Sequence, residues 1–228
     1  MNLKIFDMET EVVFSDQYVN VIEIENRAYY RELVSRFNQV FDSGETGKPF
    51  TIMENTSEKL GKNDFLLINN AFMLEYVTKA ISTKVQKYLT DEISNQQEGK
   101  ELLKLIQEIK MKFEDILIDF NLDIEYNDNV SLSDFVKLFT PKVNFVDYED
   151  ITNTYKKLIK VISTLGLYKF VVLIDLRGYL DNNQIIEIYK EAKMAGINLL
   201  MIENKPEVLL KYENKILIDN DLFELNSY

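Results

Sequence analysis

The first and last thirds of the chain alternate short apolar runs with amphipathic stretches, a pattern typical of α/β folds. Strands are predicted at the apolar runs 3–6, 11–14, 19–24, 65–68, 170–175, 197–202 and 215–218. Helices are predicted at 27–41, with Asn26 as the cap, and at 130–139, 150–165 and 182–195. Strands that alternate with helices at this spacing indicate a mainly parallel sheet with crossover helices.

The middle of the chain has a helical pattern instead. Apolar residues recur at helical spacing between 72 and 90. A second series steps alternately by four and three residues through Leu102, Ile106, Ile109, Phe113, Ile116 and Phe120. These series predict two helices of about 20 residues, packed antiparallel across a turn at Gly99. The sequence therefore predicts an α/β head, formed by residues 1–70 and 128–228, interrupted by a helical hairpin leg at 71–127.

Composition narrows the classes of function. The 228 residues include no Cys, His or Trp, which excludes Cys/His zinc sites, disulfides and Ser-His-Asp triads. A bound metal would be a hard cation on carboxylates and carbonyls, such as calcium or magnesium. The sequence has no signal-peptide pattern and no apolar run of about 20 residues, so we expect a soluble, cytoplasmic protein with no membrane partner.

Charge is unevenly distributed along the chain. The formal net charge of −12 argues against a protein coated with positive potential. Residues 129–170 nevertheless carry six Lys against four acidic residues, whereas 112–128 carry six acidic residues and one Lys. Such segregation can place one basic surface on an acidic body, and the same lysines also suit the solvated face of an ordinary amphipathic helix.

A partial phosphate-loop motif lies at residues 44–48. Asp42 stands where the motif has its first Gly, Pro49 follows Lys48, and the preceding element is a predicted helix rather than a strand. A flexible turn fits this segment better. Asp175 then reads as a residue at a strand end rather than a magnesium ligand, so ATP hydrolysis is not supported.

An acidic segment follows the second leg helix. The segment from Asp123 through Glu125 and Asn127 resembles the register of an EF-hand calcium loop, with Asp134 at the twelfth position. It departs from that loop because Asp128 stands at the central Gly position and the loop ends in Asp rather than Glu. Two interpretations remain open here. The segment either binds calcium loosely or is a solvated polar junction in which Ser131 or Ser133 caps a helix.

Several stretches together resemble one known family. The matching stretches are MNLKIF, VNVIEIEN, DFLLINN, LDIEYNDNVSLSDFVKLF, YKFVVLIDLRGYLDNNQIIEIYKEA, INLLMIENKP and ILIDNDLFEL. In this order, over nearly the whole chain, they resemble the DNA-end-binding ring protein of type II-A CRISPR adaptation modules. The resemblance implies an α/β head like a degenerate P-loop hydrolase with a helical leg, and no enzymatic activity. It also implies a homotetrameric ring that holds double-stranded DNA in a lysine-lined hole, supported by calcium.

The resemblance also suggests site residues and partners. It implies that Asp123, Glu125 and Asp128 are calcium ligands, although Asn127 departs from the more acidic family pattern. The hole-facing basic positions correspond to Lys137, Lys142 and Lys157, and helical spacing adds Lys160. The expected partners are the CRISPR adaptation integrase complex and the RNA-guided effector nuclease, with which the family acts in spacer acquisition.

Two other classes of function remain as alternatives. A nucleotide-dependent ATPase-like protein would bind nucleotide with magnesium, which the incomplete phosphate loop disfavours. A helical interaction scaffold would assemble through the seam at 102–120 and show no salt-dependent affinity for DNA.

Overall fold

The computed structural model describes residues 1–44, 50–53, 57–72, 74–119, 124–147 and 149–227. Its helices are α1 (Arg27–Ser43), α2 (Glu75–Ser94), α3 (Gln97–Asp119), α4 (Leu132–Leu138), α5 (Ile151–Leu165) and α6 (Asn182–Met194). Its strands are β1 (Asn2–Ile5), β2 (Val12–Val13), β3 (Val19–Ile24), β4 (Phe50–Met53), β5 (Ser57–Lys59), β6 (Phe65–Ile68), β7 (Phe170–Ile174), β8 (Asn198–Glu203), β9 (Glu213–Ile218) and β10 (Glu224–Ser227). No described helix is long and apolar enough to cross a membrane.

A six-stranded sheet in the order β10-β9-β3-β8-β7-β6 carries the fold. Its pairs β9-β3, β3-β8, β8-β7 and β7-β6 are parallel, and β10 pairs antiparallel with β9. The predicted α/β class and mainly parallel sheet are therefore confirmed. In β6 and β7 every residue is buried, which explains why their sequences are continuous apolar runs.

A second, antiparallel sheet has the order β2-β1-β4-β5. The two strands predicted near the N-terminus pair antiparallel as β1 and β2, with Asn2 opposite Val13. The strands β4, β5 and β10 were not predicted from the sequence. They have at most four residues each, and their own sequences lack a clear strand pattern. They form strands because they pair with neighbouring strands of the sheets.

The main hydrophobic core lies between one face of the large sheet, α1 and the small sheet. It contains the α1 side chains Leu33, Phe37 and Val40, together with sheet residues such as Ile22 and Val172. Asn26 begins α1 as predicted, because its side chain accepts hydrogen bonds from the first free amides of the helix. α6 covers the opposite face of the large sheet, which gives a layered α/β architecture.

The chain folds as two compact units, the α/β unit (residues 1–77 and 145–228) and the helical unit (residues 78–144). The sequence placed residues 128–144 with the α/β head, whereas the structure groups them with the helices. The helix α4 contacts α3, and Val130, Phe135 and Leu138 line one groove together with Ile106 and Phe113 of α3. The local sequence of residues 128–144 gives no sign of this packing.

The turn between the two long helices differs from the prediction. It lies at Asn95 and Gln96, and Gly99 is in the first turn of α3. A Cβ atom at Gly99 would lie 2.0 Å from the carbonyl oxygen of Ile93, so this glycine permits a close approach of the two helix ends. The packing of α2 and α3 as a hairpin leg, and the resemblance of the α/β unit to a P-loop hydrolase, stay predictions.

Candidate nucleic-acid interface

Lys137 lies in the last turn of α4, in the helical unit. The helix begins with a capping box in which Ser131 and Asp134 exchange hydrogen bonds. The Ser131 hydroxyl and amide, then Lys137, hold the pKa of Asp134 at about 2, well below its usual value. Lys137 Nζ lies 3.1 Å from Asp134 Oδ1, and its side chain is 57% exposed. An exposed pair of this kind is weak enough for Lys137 to exchange its carboxylate for another anion.

Lys142 follows α4 and is exposed. No acidic side chain of the described residues lies within ion-pair distance of it. Its neighbour Pro141 follows the end of α4 at Leu138 and cannot continue a helix. Lys142 therefore presents an uncompensated positive charge on the helical unit.

Lys157 and Lys160 lie on α5, in the α/β unit, at positions i and i+3. Both are exposed, and they sit on the face away from the buried residues of that helix, which include Leu158 and Ile162. Lys157 Nζ lies 3.5 Å from Asp147 Oδ2. The side-chain amide of Asn153 lowers the pKa of that carboxyl most, and the backbone amides of Glu149 and Asp150 and the charge of Lys157 lower it further. Within the described residues Lys160 has no ion-pair partner.

The four candidate lysines thus divide between the two units, two in each. All four side chains are exposed, as a surface that binds the DNA backbone requires. Most lysines in folded proteins are exposed as well, so exposure alone does not identify such a surface. Lysine ammonium groups suit phosphate contacts that carry no base readout.

The predicted calcium ligands are only partly described. Asp123 lies outside the described residues, while Glu125 and Asp128 are both exposed. Asp128 Oδ1 accepts a hydrogen bond from the amide of Asn129 at 2.9 Å. Carboxylate oxygens are the donors that calcium prefers, but the described part of the chain brings no three acidic side chains into one metal-binding group.

The segment that carries these carboxylates is attached to α3. Tyr126 OH donates a hydrogen bond to Glu114 Oε1 at 2.7 Å, and the same ring contacts Phe113. The side-chain hydrogen bond to Glu114 is the main cause that raises the pKa of Tyr126.

Most of the partial phosphate-loop motif lies outside the described residues. Gly44 ends α1 in the left-handed conformation, and Gly47 and Lys48 lie outside the described residues. The first parallel strand that leads into a helix is β3, and its junction with α1 contains Glu25 and Asn26 rather than glycines. Asp175 accepts hydrogen bonds from Tyr30 OH and the Asn204 amide, so both its oxygens are engaged within the fold.

The helical unit carries an apolar groove on the face of α3 that the sequence predicted to be packed against another helix. Ile106 of the predicted seam is buried, but Ile109, Phe113 and Ile116 are 64%, 45% and 56% exposed. The groove has a volume of about 420 Å³ and is lined mainly by Ile106, Ile109, Phe113, Val130, Phe135 and Leu138. Periodicity identified the apolar face of α3 correctly, but it carries no information on what covers that face.

Comparison with known proteins identifies the family. The model of the Cas_Csn2 family, CRISPR-associated proteins, matches residues 43–222, most of the chain. The chain therefore belongs to the Cas_Csn2 family of CRISPR-associated proteins, which confirms the resemblance inferred from the sequence.

The fold also occurs among solved structures. The crystal structure of Stu0660 of Streptococcus thermophilus superposes with a TM-score of 0.56 and 12% sequence identity, covering 100% of this chain and 76% of that one. At this identity the likeness shows a shared fold. No curated protein matches the sequence.

Proposed function

We propose that this CRISPR-associated protein is a non-catalytic binder of double-stranded DNA ends that acts in spacer acquisition. In this proposal four copies form a ring whose hole is lined by Lys137, Lys142, Lys157 and Lys160. The observation that carries the proposal is membership of the Cas_Csn2 family, together with the exposure of all four lysines. The adaptation integrase complex and the RNA-guided effector nuclease are the proposed partners.

Electrostatics supports a ring better than a single copy. The formal net charge of −12 repels DNA from most of the surface, so a few lysines on one chain would bind weakly. If two of the four lysines of each chain contact DNA at one time, a ring of four chains contacts about eight phosphates. The logarithm of affinity then falls against the logarithm of salt concentration with a slope of roughly −7. Point-charge contacts to the backbone carry no base readout, so binding would be independent of sequence.

The apolar groove of the helical unit supports self-association. Contiguous exposed apolar surface of this kind marks interaction sites on soluble proteins. A second copy that covered Ile109, Phe113 and Ile116 would remove this surface from water. The hydrophobic effect would then stabilise the proposed ring in the absence of DNA.

Calcium is part of the proposal. Asp123, Glu125 and Asp128 would be its ligands, and the ion would neutralise part of the negative charge of residues 112–128. We expect chelation to weaken DNA binding, and the double variant Glu125→Gln and Asp128→Asn to reproduce that loss without chelator. A variant that binds DNA as tightly as the unaltered protein, with and without chelator, would remove calcium from the account.

The DNA proposal is tested with two charge-matched variants. One replaces Lys137, Lys142, Lys157 and Lys160 by Ala, and the control replaces four other exposed lysines by Ala, namely Lys62, Lys100, Lys104 and Lys190. Both change the net charge by the same amount, so a difference in affinity for a linear duplex reports position rather than total charge. We expect the first variant to lose at least a hundredfold in affinity and most of the salt slope, and the control to lose less than threefold. Equal losses would contradict the proposed interface.

A further inference from the structure

A second cationic feature lies in the α/β unit, at the carboxyl ends of the parallel strands. A cavity of about 600 Å³ is lined by Arg27, Tyr30, Arg31, Asn204 and Lys205. Its residues belong to the start of α1, which follows β3, and to the loop that follows β8. The strands β3 and β8 are adjacent and parallel.

The position of this cavity in the topology favours ligand binding. After β3 the chain continues toward β6 at one edge of the sheet, and after β8 it continues toward β9 on the other side of β3. Connections that leave two adjacent parallel strands in opposite directions open a crevice between them, and ligands of α/β proteins bind in such crevices. The volume falls within the range of small-molecule sites, roughly 300–1,000 Å³.

The floor of the cavity is fixed by hydrogen bonds. Tyr30 OH donates to Asp175 Oδ2 at 2.5 Å, and the Asn204 amide donates to Asp175 Oδ1 at 3.1 Å. Asp175 has a φ of 51°, a left-handed conformation that few non-glycine residues adopt. One carboxylate thus joins the end of β7 to α1 and to the loop after β8, so the cavity is formed without a ligand.

Arg27, Arg31 and Lys205 bring three positive charges to the lining of the cavity, against the one carboxylate of Asp175 at its floor. Arg27 and Arg31 lie one turn apart on α1, both exposed, and no acidic side chain of the described residues is within ion-pair distance of either. Lys205 forms an exposed pair with Glu207 at 3.2 Å. Glu203, directly before the loop, is buried, and burial raises its pKa to about 8, so at neutral pH it adds little negative charge.

The groups available to a ligand are guanidinium groups rather than helix amides. The side chain of Asn26 already accepts hydrogen bonds from the amides of Ala28 and Tyr29. This capped start of α1 differs from a glycine loop that offers free amides to phosphate. Arginine side chains bind phosphate through two parallel hydrogen bonds, and Arg27 and Arg31 have no carboxylate to release first among the residues that the structure describes.

We propose that this cavity binds a small anion that carries two or more phosphate groups. Two arginines that pair with no acidic side chain in the described part of the chain, together with one lysine, exceed what a single phosphate needs, and the cavity extends well beyond one phosphate. The site uses none of the four lysines proposed for DNA binding, so either proposal can fail without the other.

The test is calorimetric titration of the full chain at neutral pH and low salt with inorganic pyrophosphate, then with ADP. The test variant combines Arg27→Ala with Arg31→Ala, and a control of the same charge combines Lys100→Ala with Lys190→Ala. All four side chains are exposed, so both variants should fold, which thermal unfolding checks. We expect the unaltered protein and the control to bind pyrophosphate alike, and the arginine variant to bind it at least tenfold more weakly.

The outcomes separate the possible sources of phosphate. ADP that binds as tightly as pyrophosphate, or more tightly, supports the proposal and tells whether the nucleoside adds contacts. Absence of pyrophosphate binding at millimolar concentration, or equal binding by the arginine variant, overturns it. A linear duplex serves as the third probe: if the arginine variant loses DNA affinity while pyrophosphate does not bind, Arg27 and Arg31 belong to a DNA surface and the small-anion site is rejected.

Discussion

The α/β unit and the helical unit differ in how far their apolar side chains are buried. In the α/β unit, Leu33, Phe37 and Phe65 are fully buried in a continuous core. In the helical unit, Ile109 and Ile116 of α3 are more than half exposed. Both segments have clear helical or strand periodicity in the sequence, so the pattern that predicts an element does not predict whether its apolar face is covered.

One ion pair from each unit shows a similar contrast. Arg177 in the α/β unit is 4% exposed and contacts the carboxylates of Glu23 and Glu213 inside the fold. The ion pair of Lys137 with Asp134 in the helical unit is open to solvent. The buried ion pairs of Arg177 therefore stabilise the α/β unit from within, whereas the Lys137–Asp134 pair and the apolar side chains of α3 are open to solvent.

The largest predicted effect is on the apolar core. Phe37→Ala removes a ring that stacks on Phe50 with 4.3 Å between centroids and contacts Phe65, so we expect a loss of about 4 kcal/mol in the free energy of unfolding. Ile118→Ala, at a site that is 76% exposed, should change it by less than about 0.5 kcal/mol. Urea unfolding measures both, and similar losses would mean that the helical unit is packed more tightly than its exposure indicates.

The next effect compares a buried ion pair with an exposed one. Arg177→Met leaves Glu23 and Glu213 with one fewer cation in a buried cluster that Lys215 shares, at 2.8 Å from Glu23, and should cost about 3 kcal/mol. Lys137→Met breaks the exposed pair with Asp134 and should cost about 0.5 kcal/mol or less. Chemical denaturation of both variants checks the ratio, and a Lys137 effect as large as that of Arg177 would contradict it.

A third effect is a pH dependence that arises from Glu203. Burial raises its pKa from 4.5 to about 8, so between these values the folded chain holds a proton that the unfolded chain releases. Stability is then full below about pH 4.5 and falls as pH rises toward 8. Glu203→Gln keeps the neutral form and should remove about 2 kcal/mol of the decline between pH 5 and 7, at most about 1.4 kcal/mol per pH unit.

The control for this effect is the exposed Glu187→Gln, which should leave the pH profile unchanged. Unfolding by urea at several pH values gives both profiles. A Glu203→Gln profile that declines as steeply as that of the unaltered protein would show that another group causes the dependence.

The smallest effect concerns the turn of the helical unit. Gly99→Ala places a methyl group 2.0 Å from the Ile93 carbonyl oxygen, so the helix ends must separate, at a cost of about 1–2 kcal/mol. Gly178→Ala meets no atom within 4 Å and should be tolerated. Limited proteolysis of the segment around residues 93–99 detects the change. Equal cleavage of both variants would mean that the two helix ends are not held together.

The elements that sequence reasoning predicted are those fixed by local chemistry. The continuous apolar run of β7 indicates a strand buried on both faces, and Asn26 and Gly166 mark a helix start and a helix end through their own backbone preferences. The short strands β4 and β5 depend on pairing with distant segments, for which the local sequence has no signal.

For the candidate site, the sequence predicts the type of residue involved but not how these residues are arranged in space. The excess of lysine near α4 and α5 is visible in the sequence, but the division of these lysines between two compact units is not. The cavity at Arg27 and Lys205 joins segments that are far apart in the chain, and only the order of the parallel strands brings them together.

The most direct test of the proposed function is a gel-shift comparison of one duplex as linear DNA and as a closed circle, with calcium and with chelator, over a series of salt concentrations. A ring that is entered from DNA ends binds the linear form, weakens with salt at a log-log slope of roughly −7, and weakens again with chelator. Equal binding of the linear and circular forms would contradict the ring and would place the lysines on an open surface patch.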